Sequence, residues 1–430
     1  MKVGIVGAGI AGLAAAYELA KAGHSVTIYE AAANAGGLAS GFRDAHWDWP
    51  LERFYHHIFQ GDTAIRGLAE EIGFGDKVFF RRPVTAQWYR GRAYPIDGVR
   101  GILTFPGMSL LDRFRFGLVS AYLKYVASDW KKLEQTTAQE WAYRTMGKGV
   151  YQAVWQPLLE GKFGAYAPEV NMAWLWARLR ARSFRLGYFV GGFQGFADAL
   201  LAAVQRRHVE VRFDTPVQGL RRNGEGWVLH AGNVDWDLDR LIVTGSPRLL
   251  SRLAPDLPAS YLSQLEGLRS LGAVVLTIAL KHRLTNGLYW IQGMPKSEFP
   301  FLALVEHTNF IEAEHYGGDH LIYVGDYLPP EHEYFRLSKE ELLARVTPAL
   351  RRFNPDFQPD WIRDSWLNRE PYAQPVVGLN HSQRIPPIAT PLPGVYWASM
   401  SQVYPWDRGT NYAVELGQRA ARELMKTPNQ

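Results

Sequence analysis

Gly7, Gly9 and Gly12 stand in the spacing G-x-G-x-x-G, and Glu30 follows 18 positions after the last of them. The first glycine of such a run permits a tight turn. The second lets a pyrophosphate approach the backbone, and the third lets a helix pack closely on its strand. Ile10 and Ala11 then begin a helix whose N-terminus presents unpaired N–H groups and a partial positive charge to phosphate. Glu30 can accept both hydroxyls of an adenosine ribose, and its charge disfavours a 2′-phosphate. Gly36 and Gly37, six residues further on, bring a second loop up to the same pyrophosphate. The chemistry predicted here is dinucleotide binding.

The elements that must hold these residues are legible around them. Lys2 to Val6 reads as a short apolar strand. Leu13, Ala16 and Leu19 fall on one face of the following helix and are expected to pack on the sheet. Gly23 ends that helix, and Val26 to Tyr29 reads as the next strand. At 430 residues the chain predicts two domains. Apolar residues at 47% and charged residues at 21% mark a globular protein. The absence of cysteine excludes disulfides, cysteine-ligated zinc, iron–sulfur centres and a thiolate nucleophile.

The paired glycines in "EAAANAGGLAS" extend the likeness beyond a bare nucleotide fold. With "GGFQGFADALLAAVQRRHVEVRFDTPVQGL", "DLDRLIVTGSP" and "GVYWASMSQVYPWDRGTNYAVELGQRAAREL", they resemble the FAD-dependent amine oxidase, protoporphyrinogen oxidase and phytoene desaturase superfamily. The resemblance implies an α/β fold with FAD as cofactor. A Rossmann-like FAD-binding domain of the two-dinucleotide-binding-fold type would carry an inserted α+β substrate domain. The FAD domain would comprise residues 1–81, 191–255 and 386–430. The substrate domain would have a helical part, 82–190, and a sheet part, 256–385. Val217 would pack on the adenine side. Gly409, Thr410 and Asn411 would start a helix pointing at the flavin, with Ala413, Gly417 and Ala420 as its small packing face. Two departures stand out. Leu38 occupies a position where many relatives have Arg, and Ser401 lies where an acidic residue usually meets the ribityl chain.

The same resemblance lays "WDWPLERFYHHIFQGD" along the isoalloxazine ring. Glu52, Arg53 and Phe54 would contact the cofactor. Arg53 would stabilise the anionic reduced ring, and His56 would move a proton beside it. Tyr55 and Lys162 complete the candidate catalytic set, Lys162 facing flavin or an anionic substrate. Tyr404, Trp406 and Tyr412 flank the flavin segment. No metal site is expected, because the side chains of His56 and His57 diverge on an extended chain and no other ligand spacing accompanies them. By register, Leu276 stands where amine oxidases carry a strand lysine, which favours desaturation or dehydrogenation.

The reading is therefore an FAD-dependent oxidoreductase. It would oxidise or desaturate a partly apolar small molecule by hydride transfer, with oxygen or a quinone-like acceptor downstream. The alternative is an isomerase similar to UDP-galactopyranose mutase, which would demand paired Arg residues facing the flavin pocket. A third reading is a flavin-binding partner subunit without turnover. The formal charge of +5 comes with no nucleic-acid motif, so no nucleic-acid partner is expected. Neither a signal peptide nor an apolar run of about 18 residues is read, which predicts a cytoplasmic protein. The basic, aromatic stretches 110–132 and 174–185 raise peripheral contact with the inner face of a membrane; packing on the substrate domain is the other account.

Overall fold

The computed structural model describes residues 1–426. The last four residues of the segment 386–430 lie outside the described residues. A five-stranded sheet takes strands from the start, middle and end of the chain. Its order is Glu210–Arg212, Ser25–Tyr29, Lys2–Val6, Arg240–Val243 and Val395–Trp397, and every pairing is parallel. Helices cover one face of this sheet, and the antiparallel strands Val217–Asn223, Gly226–Ala231 and Val234–Leu238 pack on the other, so its strands read as apolar runs. Val3, Ile5, Ile28, Ile242 and Val243 are all buried. This is the expected Rossmann-like arrangement.

The helix Ile10–Lys21 packs against the last helix, Thr410–Lys426. Small residues allow the approach: a Cβ added at Gly417 would lie 2.1 Å from the Ala11 carbonyl oxygen. Ala420 and Ala421 are fully buried in the same seam. The N-termini of both helices thereby border one cleft.

A seven-stranded sheet forms the second layer. Its order is Ile362–Pro375, Ser270–Leu280, His320–Leu328, Ala303–Glu306, Leu288–Gln292, Val84–Tyr89 and Arg92–Pro95. The strand Ser270–Leu280 is almost wholly buried, with neighbours on both edges. The helix Lys339–Leu350, started by a Ser338–Glu341 capping box, packs on it. Residues 84–95 correct the mostly helical reading of 82–190. They form a hairpin whose turn, Arg90-Gly91, has φ of +48° and +81°. Two left-handed residues match the strand twist, and Arg at the first of them hid the turn from the sequence. Helices between Gly98 and Ala181 then build a separate core around Phe105, Leu123, Leu159, Phe163 and Trp174.

Candidate active site

The dinucleotide loop folds as its glycines predict. Gly7 ends its strand at φ +104°, where a Cβ would strike the Thr244 hydroxyl at 2.5 Å. A Cβ at Gly12 would lie 2.0 Å from the Gly7 carbonyl oxygen, so the helix rests directly on the turn. The Gly36 N–H donates to the Ala8 carbonyl (3.0 Å), docking the second glycine loop on the first. A Cβ at Gly37, itself at φ +58°, would press on Gly9 Cα at 3.1 Å. No side chain caps the helix that Gly9 begins, and its first turn holds no acid. Its amide dipoles therefore stay available to an anion.

These loops open onto a cleft of about 650 Å³, within the range of cofactor sites. Gly7, Gly9, Ile10, Ala11, Glu30, Gly36, Gly37 and Leu38 line it from the N-terminal side, and Gly409 and Thr410 from the C-terminal side. The Glu30 carboxylate accepts from the Ala8 and Ala32 N–H groups at 2.6 and 2.8 Å. Each oxygen keeps a lone pair for a ribose hydroxyl. The Thr410 hydroxyl lies buried without a hydrogen-bond partner. A buried orphan hydroxyl of this kind is costly unless a ligand satisfies it. The residues present thus fit an extended dinucleotide.

Several expected cofactor contacts lie elsewhere. Glu52 is fully buried, accepting from the Tyr188 hydroxyl (2.6 and 2.8 Å) and the Phe193 N–H (2.7 Å). Burial pushes its carboxyl up to about 7. It staples the segment to the helix Gly192–Arg206 and does not line the cleft. Arg53 points to solvent, outside the cleft and its neighbouring pocket. Val217 is buried in the core behind the cleft, and the turn 244–246 with the helix Pro247–Leu253 supplies that wall instead. The Ser401 hydroxyl bonds to the Tyr372 hydroxyl (2.6 Å), while Ser399 and Met400 face the cleft. Asn411 accepts from the Ile65 N–H (3.1 Å) and donates to Glu415, tying the last helix to Thr63–Glu71. Leu276 points into the layer under the helix Lys339–Leu350, because alternate strand residues face opposite ways. Ala273 and Val275 are the residues of that strand turned toward Phe54, Tyr55 and His56.

Beyond the cleft, a pocket of about 180 Å³ shares His56, Arg408, Gly409 and Thr410 with it. His56 Nδ1 bonds to the Phe54 carbonyl at 2.5 Å. A carbonyl only accepts, so Nδ1 carries the proton and Nε2 keeps its lone pair. Burial pulls the imidazole down to about 4, leaving it neutral near pH 7. His57 is lowered to about 3 by burial, and its Nδ1 has no partner.

Lys162 is the one expected catalytic residue from the helical part, and it enters this pocket. Its Nζ donates to Asp407 at 2.6 Å across 245 positions of sequence, and lies 5.3 Å over the Trp174 ring. Burial, with Arg178 and Arg408 nearby, pulls the ammonium down to about 7, against the attraction of Asp407. Burial acts to raise the Asp407 carboxyl, but the charges of Lys162, Arg408 and Arg178 outweigh it and hold it well below the usual range. Arg178 approaches the same carboxylate at 3.6 Å. Arg408 donates to the Tyr327 hydroxyl and to Gln374. Arg182 donates to Thr85 at 3.3 Å. Tyr55, Trp290, Tyr327 and Tyr412 supply aromatic walls. Tyr55 meets Trp290 edge to face at 4.9 Å, and Trp406 stacks between Trp176 and Tyr412. Arg178, Arg182 and Tyr327 were not singled out from the sequence. No motif joins positions so far apart. Among the described residues, no group of three or more His, Asp or Glu is arranged to hold a metal.

The family model described as flavin-containing amine oxidoreductase matches residues 10–425. The chain belongs to that family. The family's description names a flavin as its cofactor and oxidoreduction as its class. A 15-cis-phytoene desaturase from Synechococcus elongatus is 30% identical over 159 residues, 33% of this chain and 32% of that protein. An L-amino-acid oxidase from Demansia vestigiata is 24% identical over 67% of this chain and 60% of its own length. One from Bungarus fasciatus is 33% identical, and the match spans 24% of this chain and 20% of that protein. Among solved structures, an assigned protoporphyrinogen oxidase from Exiguobacterium sp. 255-15 superposes with TM-score 0.78 at 18% identity, covering 99% of both chains. A reduced UDP-galactopyranose mutase reaches 0.74 at 17% identity, covering 100% of this chain and 96% of that one. At such identities these structures speak for the fold alone.

Proposed function

We propose that this member oxidises a small organic substrate that has a partly apolar body and an anionic group. The observation that carries this reading is the crowding of Lys162, Arg178 and Arg408 around the Asp407 carboxylate in an aromatic-walled pocket, with Arg182 on the same wall. Arg178 and Arg408, with Lys162, outnumber the Asp407 carboxylate and leave uncompensated positive charge, and a carboxylate or phosphate is the chemistry that completes it. FAD, when bound, accepts two electrons as a hydride.

The chain's own residues set up the rest. Arg178 and Arg182 hold the anionic group. Tyr55, Trp290 and Tyr327 flank the apolar body and exclude water. His56, neutral and with Nε2 unprotonated, accepts the proton the substrate releases. Arg408 keeps a positive charge on the border of cleft and pocket, where it offsets negative charge arriving in the cleft.

A second reading draws on the same Arg178–Arg182 pair, since paired arginines also suit the diphosphate of a nucleotide sugar undergoing isomerisation. Anaerobic titration of the FAD-loaded enzyme separates the two. Oxidation predicts that hydroxy or amino acids, or phosphorylated alcohols, bleach the visible flavin band, while their esters or neutral analogues do not. If none bleaches it, and enzyme reduced beforehand interconverts nucleotide-sugar isomers, the oxidation reading is wrong.

A further inference from the structure

The helical region carries an apolar face that none of the described residues covers. Nine of the fourteen exposed large apolar side chains among the described residues fall between Val99 and Val126. On the helix Leu110–Ala121 and the turn that continues it, Leu110, Phe114, Leu118 and Tyr122 recur every four residues. Residues at this spacing line one side of a helix. Leu110 is 80% exposed and Phe114 71%, while Phe116 and Leu123 on the other side are buried in the helical core. The adjoining helix Gly98–Thr104 adds Val99 and Leu103. Single exposed leucines need no explanation, but a contiguous face of this size does.

Charge says what fits it. Residues 99–132 hold six Lys or Arg and two Asp, against a net +5 for all 430 residues. Most of the chain's excess charge therefore accompanies this one face. Arg100, Arg115, Lys131 and Lys132 are exposed there. Lys131 lies 5.9 Å over the Trp130 ring, the pairing of cation and aromatic suited to a headgroup layer. A second copy of the chain seated on the face would set these cations against one another. Among the described residues no helix is long and apolar enough to cross a membrane, so this face would lie on a bilayer. The face also borders the pocket: Lys124 Nζ donates to the carbonyl of Arg182, and the exposed Phe184 next to it carries Arg82 over its ring.

We propose that the helices 98–104 and 110–121, with the turn 122–126, dock on the surface of an anionic lipid bilayer, their apolar row sunk among the acyl chains and the basic residues at the headgroups. This inference does not rest on the pocket's chemistry.

The test is co-sedimentation of the FAD-loaded protein with vesicles of phosphatidylcholine and phosphatidylglycerol (3:1), and with phosphatidylcholine alone. Binding to the mixed vesicles is expected, at least tenfold weaker to the neutral ones and falling with added salt. The variant L110S/F114S/L118S should stay in the supernatant while keeping the wild-type flavin spectrum and melting temperature. K131Q/K132Q should weaken partitioning about twenty-five-fold, about fivefold for each cation. Wild-type protein that fails to sediment with the anionic vesicles at low salt overturns the proposal. So does a triple variant that sediments as the wild type does. A wild-type dimer that the triple variant turns into a monomer would assign the face to a second copy and equally overturn it.

Discussion

At the scale of single residues, the proposed oxidation depends on a lone pair and a few charges. His56 keeps Nε2 free because the Phe54 carbonyl holds the proton on Nδ1 and burial keeps the ring neutral. Replacing it in His56→Phe removes the base but not the cavity. The substrate-dependent rate of flavin bleaching should fall by about 10²- to 10⁴-fold, with substrate affinity largely kept, as stopped-flow traces over a range of substrate concentrations would record. Arg178→Met should behave in the opposite way. A lost hydrogen bond to a charged group costs about 1.5–3 kcal/mol, so KM for an anionic substrate should rise by about ten- to a hundredfold. The KM for a neutral analogue should stay near its wild-type value.

At the scale of elements, the cleft exists because helices and loops approach more closely than ordinary side chains allow. Gly417 presses on Ala11, and Gly12 on Gly7. The Gly417→Val substitution must push the helix Thr410–Lys426 off the helix Ile10–Lys21, and with it Gly409 and Thr410 off the cleft. Overpacking of this kind costs about 1–3 kcal/mol. FAD affinity, followed by quenching of flavin fluorescence, should drop at least tenfold while far-ultraviolet dichroism changes little. The segment leading to Asp407 is held by a polar tie outside the pocket. Glu134 accepts from the Tyr404 hydroxyl (2.9 Å) and from Ser382, and Asn171 donates to Tyr404 (2.9 Å). The helical insert thereby positions the segment that delivers Asp407 and Arg408.

At the scale of the whole molecule, buried ionisable groups couple stability to pH. His307, beside Tyr316 in the core, is held down to about 3 by burial. The unfolded chain binds a proton at this residue below its ordinary value near 6.5, and the folded protein does not. Stability therefore falls as pH drops through 6.5, at up to about 1.4 kcal/mol per pH unit. Between pH 7 and pH 5 this one residue should account for about 2 kcal/mol. His307→Asn should lose that much less stability over the interval than the wild type, measured by urea unfolding at each pH. Glu52 acts with the opposite sign: its carboxyl is raised to about 7, so its share of stability declines as pH rises from about 4.5 through 7.

What the sequence determined alone is the nucleotide end of the protein. Gly7, Gly9, Gly12, Glu30, Gly36 and Gly37 act through backbone conformation, helix dipole and one carboxylate, all within 31 residues. Interactions that local are written in order along the chain. The tertiary structure decided the substrate end. Lys162 and Asp407 meet across 245 positions, and the strand alternation that turns Leu276 away from the cleft depends on which face the helix Lys339–Leu350 covers. Glu52 and Arg53 carry the right chemistry, yet one is buried against Tyr188 and the other faces water. Whether a charge lies in a pocket, and whether an imidazole stays neutral there, is set by how much water the surrounding layers exclude. Burial of that kind is a property of packing between distant segments, and no spacing along the chain encodes it.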